Sequence, residues 1–368
     1  MYLLASALAL ACADPAGPSA GNRVIWHAPG GSFYTPAVDG STVFFPTDDH
    51  QVIAFDAETG VQRWAVGHSS ASGEPLGENA VVAAGVVAVP DGDIFAFDES
   101  TGTLRWVFHP AVGGGPGRFN LATDGKIVFS GSASGYAYAV DAASGSQIWA
   151  TRIATDDTFT NVVDPAFSDD LVIVTYTRFT APVTGGVAAI DRPTGALRWR
   201  REFSSARQFA GSAANGRVVF WRGSAEDLVI AAVDDGRLYG LDRETGSIVW
   251  TTAIPPETGA GLWRPLAVAG NTVVAGPNEG GIMGYDPATG AAKWTLNVKS
   301  TSTLREFVSD STTVYLTPTI GDVVAVNAAT GKIVWQAYPS ERSFSAPPAT
   351  GDDLLFVSGL AGYYAIKK

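Results

Sequence analysis

The sequence is poor in the residues that form disulfides and metal sites. Its 368 residues include one cysteine, four histidines and two methionines, and 16% of the residues are charged. A single cysteine excludes an intrachain disulfide. No 18-residue apolar span and no long amphipathic helical pattern occur, which disfavours membrane-spanning helices and helical bundles and favours a soluble all-β domain.

Common catalytic and nucleic-acid-binding patterns are also missing. There is no Gly-x-Ser-x-Gly elbow, phosphate loop or dinucleotide fingerprint, and Gly113-Gly114-Gly115 is a connector without a helix behind it. The formal net charge of −12 and the sequence pI near 4.7 disfavour nucleic acid or anionic lipid as the main partner.

The sequence does contain a repeated tryptophan signature. Seven copies follow the pattern Ala/Gly-x-Asp/Asn-x-x-Thr/Ser-Gly-x-x-x-Trp, and their glycines are 42, 43, 50, 51, 44 and 41 residues apart. This period is typical of propeller blades or solenoid units. The acid or amide, the glycine and the tryptophan of the copies are Asp56, Gly60, Trp64; Asp98, Gly102, Trp106; Asp141, Gly145, Trp149; Asp191, Gly195, Trp199; Asp242, Gly246, Trp250; Asp286, Gly290, Trp294; and Asn327, Gly331, Trp335.

Each copy reads as one β-hairpin. In the first, Val52 to Phe55 alternates like a strand, and the Asp-x-x-Thr-Gly segment reads as a turn that leads into a second strand. We expect Asp56 to accept hydrogen bonds within the turn and Gly60 to adopt a positive φ. A further strand pair lies upstream of each hairpin, so each unit is predicted to be a four-stranded antiparallel sheet.

Stacking such sheets around an axis buries both faces of each sheet. The signature tryptophans are therefore assigned to the core between blades, and only Trp221 and Trp263 fall outside the pattern. Residues 363–366 start another copy that has no turn or tryptophan after it, while Asn22 to Trp26 matches Gly331 to Trp335. We predict that this N-terminal strand completes the last blade, which closes an eight-bladed ring and removes free sheet edges.

The predicted domain organisation is a leader and tether over residues 1–21 and one propeller over residues 22–368. Residues 3–11 are apolar and small, and they precede Cys12 and a Pro/Gly/Ser-containing stretch. This segment resembles a bacterial lipoprotein signal, in which the cysteine is lipidated after cleavage. Plain secretion after cleavage at an alanine and a cytosolic chain with a frayed tail are the alternatives.

The signature resembles the tryptophan-docking repeat of pyrroloquinoline-quinone (PQQ) dehydrogenases and PQQ-like propellers, over essentially residues 22–368. Chain length, eight blades and the lipoprotein-like start look most like BamB-type lipoproteins, the scaffolds of outer-membrane β-barrel assembly. The dehydrogenases are longer and normally carry a vicinal cysteine pair, a calcium site and a catalytic aspartate. This chain cannot form that pair, and its signature acids are accounted for by turns.

The four histidines have no metal-ligand spacing in the sequence, and no metal or cofactor site is predicted. The propeller topology nevertheless gathers them near one face, in blades eight, one and two. A metal there is one interpretation; four solvated side chains is the favoured one. They are His27, His50, His68 and His109.

Five arginines are predicted to ring the mouth of the central channel, because they align at or just before the innermost strand of their blades. Such a ring would dock an anion or carboxylate, since guanidinium groups offer paired donors. Salt bridging to acidic side chains of neighbouring blades is the favoured interpretation of these arginines. The five are Arg118, Arg207, Arg264, Arg305 and Arg342.

Two long intervals mark insertions. One lies near Tyr176 to Gly186 in blade four, and the other lies between Glu202 and Asp235, where two strand alignments compete. Loops on a rigid ring are common binding elements, and Arg178, Phe179 and Trp263 are residue types enriched in hot spots.

Together with the resemblance, these features predict a monomeric, non-enzymatic, extracytoplasmic scaffold with protein partners in outer-membrane β-barrel assembly, lipid-anchored at the outer membrane and facing the periplasm. A small-anion-binding or sensor propeller is the main alternative, and a PQQ-dependent dehydrogenase is the third.

Overall fold

The computed structural model describes residues 23–68, 79–113, 120–153, 160–179, 184–204, 217–224, 227–233, 236–254, 266–276, 281–297, 304–318, 321–339, 344 and 346–368. These residues form eight four-stranded antiparallel sheets. The prediction of an eight-bladed, all-β propeller is confirmed. In the part of the chain that is described, no helix has the length and apolar character needed to cross a membrane.

The strands follow one another in chain order, and blade eight is shared between the two ends of the chain. Blade one contains β2 (Ala37–Asp39), β3 (Thr42–Pro46), β4 (Gln51–Asp56) and β5 (Gln62–Gly67), and blade two contains β6 (Val81–Ala83), β7 (Val86–Asp91), β8 (Asp93–Asp98) and β9 (Leu104–Phe108). Blade three contains β10 (Ala122–Thr123), β11 (Ile127–Gly131), β12 (Tyr136–Asp141) and β13 (Gln147–Arg152), and blade four contains β14 (Thr160–Phe167), β15 (Leu171–Arg178), β16 (Thr184–Asp191) and β17 (Leu197–Ser204). Blade five contains β18 (Arg217–Arg222), β19 (Asp227–Val233), β20 (Arg237–Asp242) and β21 (Ile248–Ala253), and blade six contains β22 (Leu266–Ala269), β23 (Thr272–Ala275), β24 (Gly281–Tyr285) and β25 (Ala292–Asn297). Blade seven contains β26 (Leu304–Ser309), β27 (Thr313–Pro318), β28 (Val323–Asn327) and β29 (Ile333–Ala337), and blade eight contains β30 (Ala349–Thr350), β31 (Leu354–Ser358), β32 (Gly362–Lys367) and β1 (Val24–Pro29).

The ring is closed by the N-terminal strand, as predicted. β1 pairs with β32, with Trp26 opposite Ala365 and His27 opposite Tyr364. The first strand of each blade contacts the first strand of the next, and β30 of blade eight contacts β2 of blade one. These innermost strands therefore surround a common axis, and the apolar core lies between neighbouring sheets.

The signature turn has the predicted hydrogen bonds. Asp56 Oδ1 accepts from the Thr59 backbone N–H at 2.9 Å and from the Thr59 hydroxyl at 2.7 Å. Gly60 has φ 71°, and the pairing of β4 with β5 shifts register between Ala54 and Phe55. The resulting bulge sets the register, which directs each signature tryptophan to the same side of its blade.

The repeat contributes eight tryptophans, which are the seven of the signature and Trp26. Seven of these eight dock on the next blade in the same way. The indole of Trp149, for example, donates from Nε1 to the Arg192 carbonyl of blade four at 2.8 Å and packs on Gly195. A Cβ added to Gly195 would lie 2.6 Å from Trp149 Cγ. Glycine is therefore required here for two reasons, the positive φ and the close approach of the indole. The corresponding acceptors are the carbonyls of Ala57 for Trp26, Glu99 for Trp64, Ala142 for Trp106, Arg243 for Trp199, Pro287 for Trp250 and Ala328 for Trp294.

Trp335 is the exception, because its neighbour is the shared blade. The guanidinium of Arg23 lies over its ring, 4.9 Å from the centroid. Among the described residues, the contact shown for this ring is a cation–π contact rather than the repeated indole hydrogen bond.

Candidate functional site

The ring has two faces with different chemistry. The turn face carries the signature turns, which are residues 57–61, 99–103 and 142–146 in blades one to three. The loop face carries the connections at the opposite end of each blade, such as residues 47–50, Gly92 and 132–135, together with the links from one blade to the next. The histidine cluster and the extended end of blade four both lie on the loop face.

Two of the four histidines converge with an aspartate on the loop face, between blades one and two. His50 precedes β4, His68 follows β5, and Asp91 ends β7. Asp91 Oδ2 lies 3.1 Å from His50 Nδ1 and 3.0 Å from His68 Nδ1. Donor atoms of two imidazoles and one carboxylate, the types that bind transition metals, therefore meet at one point.

The cluster is largely removed from solvent. The Asp91 side chain is fully buried, the His68 side chain is 2% exposed, and the His50 side chain is 34% exposed. Burial lowers the pKa of His68 and outweighs the attraction of Asp91, which acts in the opposite direction.

The other two histidines lie apart from this cluster. His109 Nδ1 is 2.7 Å from Asp93 Oδ1 and its side chain is 76% exposed, while the His27 ring stacks on Tyr364 with centroids 4.6 Å apart. The interpretation of four solvated side chains is therefore wrong for His68. The sequence signature does not mark Asp91, which lies outside it. The signal that points to Asp91 is an acidic residue at the loop-face turn of the blade next to the histidines.

Blade four extends further than the other blades. Its four strands have eight residues each, and β15 and β16 stay paired up to Arg178 opposite Thr184. The insertion predicted as a loop from Tyr176 to Gly186 thus mostly lengthens strands. Arg178, 23% exposed, forms an ion pair of 3.4 Å with Glu202 of β17, and the half-buried Phe179 directly follows β15.

The second insertion, predicted between Glu202 and Asp235, lies on both sides of β18. This strand begins at Arg217 and is joined to β19 by residues 223–226, a longer connection than the two-residue turn between β2 and β3. The preceding residues 205–216 lie outside the described residues. Trp221 lies on β18 and packs, partly buried, against the core between blades five and six.

The predicted arginine ring stays a prediction. Arg305 lies on β26, an innermost strand, and only its backbone is described. The other four arginines of the predicted ring lie outside the described residues; they are Arg118, Arg207, Arg264 and Arg342. Trp263 of the predicted partner loop and the predicted lipidation site Cys12 also lie outside the described residues. Arg207 lies ten residues before Arg217, where β18 begins.

The signature aspartates are bound within their own turns. Oδ1 of each accepts from the backbone N–H three residues later, and the distances run from 2.8 to 3.2 Å. Hydrogen bonds from Ser100 and Thr101 lower the pKa of Asp98 to about 2. The carboxylates of Asp56, Asp98, Asp141, Asp191, Asp242 and Asp286 are therefore structural acceptors, and this is not an arrangement of calcium ligands around a shared point.

A cavity of about 500 Å³ lies on the turn face, at the seam between blades eight and one. Its walls are apolar side chains such as Ile25 and Phe356 together with the acids Glu58, Asp352 and Asp353. It is thus separate from the histidine cluster, which is on the opposite face.

Comparisons with known proteins agree with this architecture. A family model described as "Outer membrane protein assembly factor BamB" matches residues 14–177 and 183–359. No curated protein matches the chain in sequence.

Solved structures show the same fold in proteins of different function. BamB from Moraxella catarrhalis is 20% identical, with 83% of each chain covered and a TM-score of 0.57. Quinohemoprotein alcohol dehydrogenase from Comamonas testosteroni is 14% identical, with 94% of this chain and 76% of that chain covered and a TM-score of 0.69. Sqt1 from Saccharomyces cerevisiae is 11% identical, with 94% and 99% covered and a TM-score of 0.73. At these identities the likeness shows the fold alone.

Proposed function

The chain belongs to the family described as outer membrane protein assembly factor BamB, and on that premise we propose that it is a non-enzymatic, extracytoplasmic scaffold that binds a protein partner in outer-membrane β-barrel assembly. Fold alone does not decide function, because the same propeller occurs in quinohemoprotein dehydrogenases. The proposal therefore depends on features of this chain.

The observation that carries the proposal is the extension of blade four. Strands β15 and β16 remain paired for eight residues and reach beyond the five- and six-residue strands of β11 and β12 in blade three. Arg178 and Phe179, both partly buried, lie toward the loop face at the end of β15. An extended strand pair that carries an arginine and an aromatic residue is a suitable protein-binding element, because aromatic and arginine side chains are enriched in binding hot spots.

Two observations support the non-enzymatic part. The single cysteine, Cys12, excludes the vicinal pair that the resemblance to PQQ dehydrogenases would imply. The signature aspartates are acceptors within their own turns and leave no run of calcium ligands among the described residues. The residues present therefore do not fit a PQQ and calcium site of that type.

The proposal is tested by affinity purification of the full-length chain from its native envelope. We expect recovery of an outer-membrane β-barrel component, and the double variant Arg178→Glu/Phe179→Ala to lower that recovery at least tenfold, because it reverses the charge and removes the ring. Lys332→Glu, an exposed change on the turn face, is the control and should not lower recovery. The proposal is contradicted if Lys332→Glu lowers the recovery of the β-barrel component as much as the double variant does, or if the wild-type chain recovers no β-barrel protein.

Anchoring at Cys12 is a separate part of the proposal. We expect metabolic labelling with palmitate to label the wild-type chain and not Cys12→Ser, and the variant to move from the membrane to the soluble envelope fraction. Equal labelling or equal fractionation of both chains contradicts a lipid anchor at this position.

The small-anion alternative has one supporting observation, the place of Arg305 on an innermost strand. If an anion binds in the channel, succinate should raise the melting temperature of the wild-type chain and not of Arg305→Ala. PQQ is tested in the same assay, and a shift with PQQ would favour the dehydrogenase alternative.

A further inference from the structure

We propose that His50, His68 and Asp91 form a binding site for a divalent transition metal ion, with Zn²⁺ the ion that suits the donors best, at the boundary of blades one and two. This site is separate from the partner hairpin of blade four. It does not depend on the proposed scaffold function.

Two of the three donor separations are close to those of metal ligands. One atom from each residue falls within a group whose members are all within 4.8 Å of one another. Both imidazole Nδ1 atoms are 3.0 to 3.1 Å from the same carboxylate oxygen, Asp91 Oδ2. Two ligands of a tetrahedral zinc ion, with bonds of about 2.0 to 2.1 Å, are roughly 3.3 Å apart. Small side-chain shifts would therefore admit the ion.

Hydrogen bonding does not account for the cluster. His50 Nδ1 is within hydrogen-bonding distance and direction of Asp91, but His68 Nδ1, although 3.0 Å from Oδ2, does not have the direction of a hydrogen bond. Within the described part of the chain, both ring nitrogens of His68 and Asp91 Oδ1 are buried without a hydrogen-bond partner. Buried polar atoms are rarely left so, and a bound cation would satisfy them.

The burial of the carboxylate also favours a cation. The Asp91 side chain is fully buried, and its Oδ2 is close to the Nδ1 atoms of two imidazoles. Buried carboxylates in proteins are paired or coordinate metal ions. A pair between His50 and Asp91 alone would leave His68 without a role.

The backbone holds the ligands in place before any ion arrives. His50 adopts φ 60°, which is uncommon for a residue other than glycine, and its N–H donates to the Thr47 carbonyl at 3.1 Å. The His68 N–H donates to the His50 carbonyl at 2.9 Å, so the two histidines are linked directly. Phe95 stacks on the His68 ring with centroids 5.0 Å apart. These contacts restrict the rings and preorganise the site.

The donor set indicates the class of metal and the state of the site. Two imidazoles and one carboxylate suit Zn²⁺, Co²⁺ or Ni²⁺, while Ca²⁺ and Mg²⁺ require six or more oxygen ligands. Three protein ligands leave a fourth position for water or for a side chain of a partner. Because His50 is 34% exposed, the ion has a path to this position from the loop face.

The test uses the tag-free chain with Cys12→Ser, which removes the only thiol as a competing ligand. After treatment with EDTA and dialysis, we expect calorimetric titration with Zn²⁺ to give one ion per chain, Zn²⁺ to raise the melting temperature, and Ca²⁺ and Mg²⁺ to leave it unchanged. Co²⁺ should give the visible absorption of a tetrahedral nitrogen and oxygen site.

The main variant is His50→Asn, since asparagine tolerates a positive φ and the position is partly exposed. Loss of second-shell groups costs 10- to 100-fold in affinity, so loss of this ligand should weaken Zn²⁺ binding by more than about 100-fold. His68→Gln tests the buried ligand. His109→Asn, on the same face and 76% exposed, is the matched control and should bind as the parent does. Melting in EDTA confirms that each variant is folded.

Three results would overturn the proposal: no saturable Zn²⁺ binding by the parent, parental affinity in His50→Asn, or an equal loss in His109→Asn. Absence of Zn²⁺ binding together with a lower melting temperature of His50→Asn in EDTA would assign the cluster to an imidazolium–carboxylate pair instead.

Discussion

The two faces of the ring use the same strands but satisfy their polar groups differently. On the turn face, the signature carboxylates accept hydrogen bonds within their own turns. Among the described residues, seven of the eight repeat tryptophans donate their indole N–H to the next blade. On the loop face, His68 and Asp91 are buried with polar atoms that lack hydrogen bonds within the described residues, and His50 has an uncommon backbone conformation. The repeat thus joins neighbouring blades through contacts on the turn face, and the buried histidine cluster lies on the loop face.

The largest expected effect is the loss of a signature indole. Trp149→Ala should lower the free energy of unfolding by about 3 to 5 kcal/mol, because it opens a cavity between blades and leaves the Arg192 carbonyl without its donor. Urea denaturation followed by circular dichroism measures the change. On the loop face, His109→Asn should cost under about 0.5 kcal/mol. Similar costs for the two variants would contradict the division between faces.

A second prediction separates the two roles of the signature glycine. Gly195→Ala should cost about 2 to 4 kcal/mol, since alanine is strained at φ 75° and its Cβ would meet the Trp149 indole. Gly85 has φ 79° but no heavy atom of the described residues within 4 Å of an added Cβ. Gly85→Ala should therefore cost only about 1 to 2 kcal/mol in the same assay. Equal costs would mean that the indole contact contributes nothing.

The smallest effect concerns the turn carboxylates at acid pH. The Thr194 hydroxyl and then the Arg198 guanidinium lower the pKa of Asp191 to about 2, below the value near 3.9 of an unfolded chain. A lowered folded pKa stabilises the fold above about pH 4, and this contribution is lost as the pH falls toward 2. We expect the melting temperature of Asp191→Asn to lie below that of the wild type at pH 7 and the gap to narrow as the pH falls.

Asn327 provides the natural control for this change. Its Oδ1 accepts from the Thr330 N–H at 3.0 Å and from the hydroxyl at 2.9 Å, so an asparagine can hold the turn. Asn327→Asp should make the melting temperature fall more steeply between pH 4 and pH 2, whereas Asp191→Asn should make it fall less steeply. A gap between Asp191→Asn and the wild type that stays constant from pH 7 to pH 2.5 would contradict this account.

The fold was predictable from the sequence because the residues of the repeat determine the turn and the register of each hairpin. The turn chemistry of Asp56 and Gly60, the spacing of the tryptophans and the match of residues 22–26 to the end of blade seven were sufficient for blade number and closure. The hydrogen-bond acceptors of the indoles could not be predicted, because the acceptors are backbone carbonyls such as those of Ala57 and Arg192. Every residue has a backbone carbonyl, and the packing of the blades determines which carbonyl each indole reaches.

The candidate site was predictable only in part. Topology gathered the histidines on one face, but their contact with Asp91 depends on how two neighbouring blades pack. Asp91 also resembles an ordinary turn residue beside Gly92. The extra residues of blade four were located correctly, whereas their strand pairing was not predicted, because an alternating stretch of small and polar residues reads equally well as a loop.

The shared blade imposes a delay on ring formation. Arg23 and Lys367 exchange backbone and side-chain hydrogen bonds although they are 344 residues apart in the chain. At a synthesis rate of about 5 to 20 residues per second, β1 therefore waits roughly 20 to 70 s for its partner strand to be made. During that interval its hydrogen-bonding edge is bare and open to mispairing. The ring of a newly made chain can therefore close only after β32 has been made.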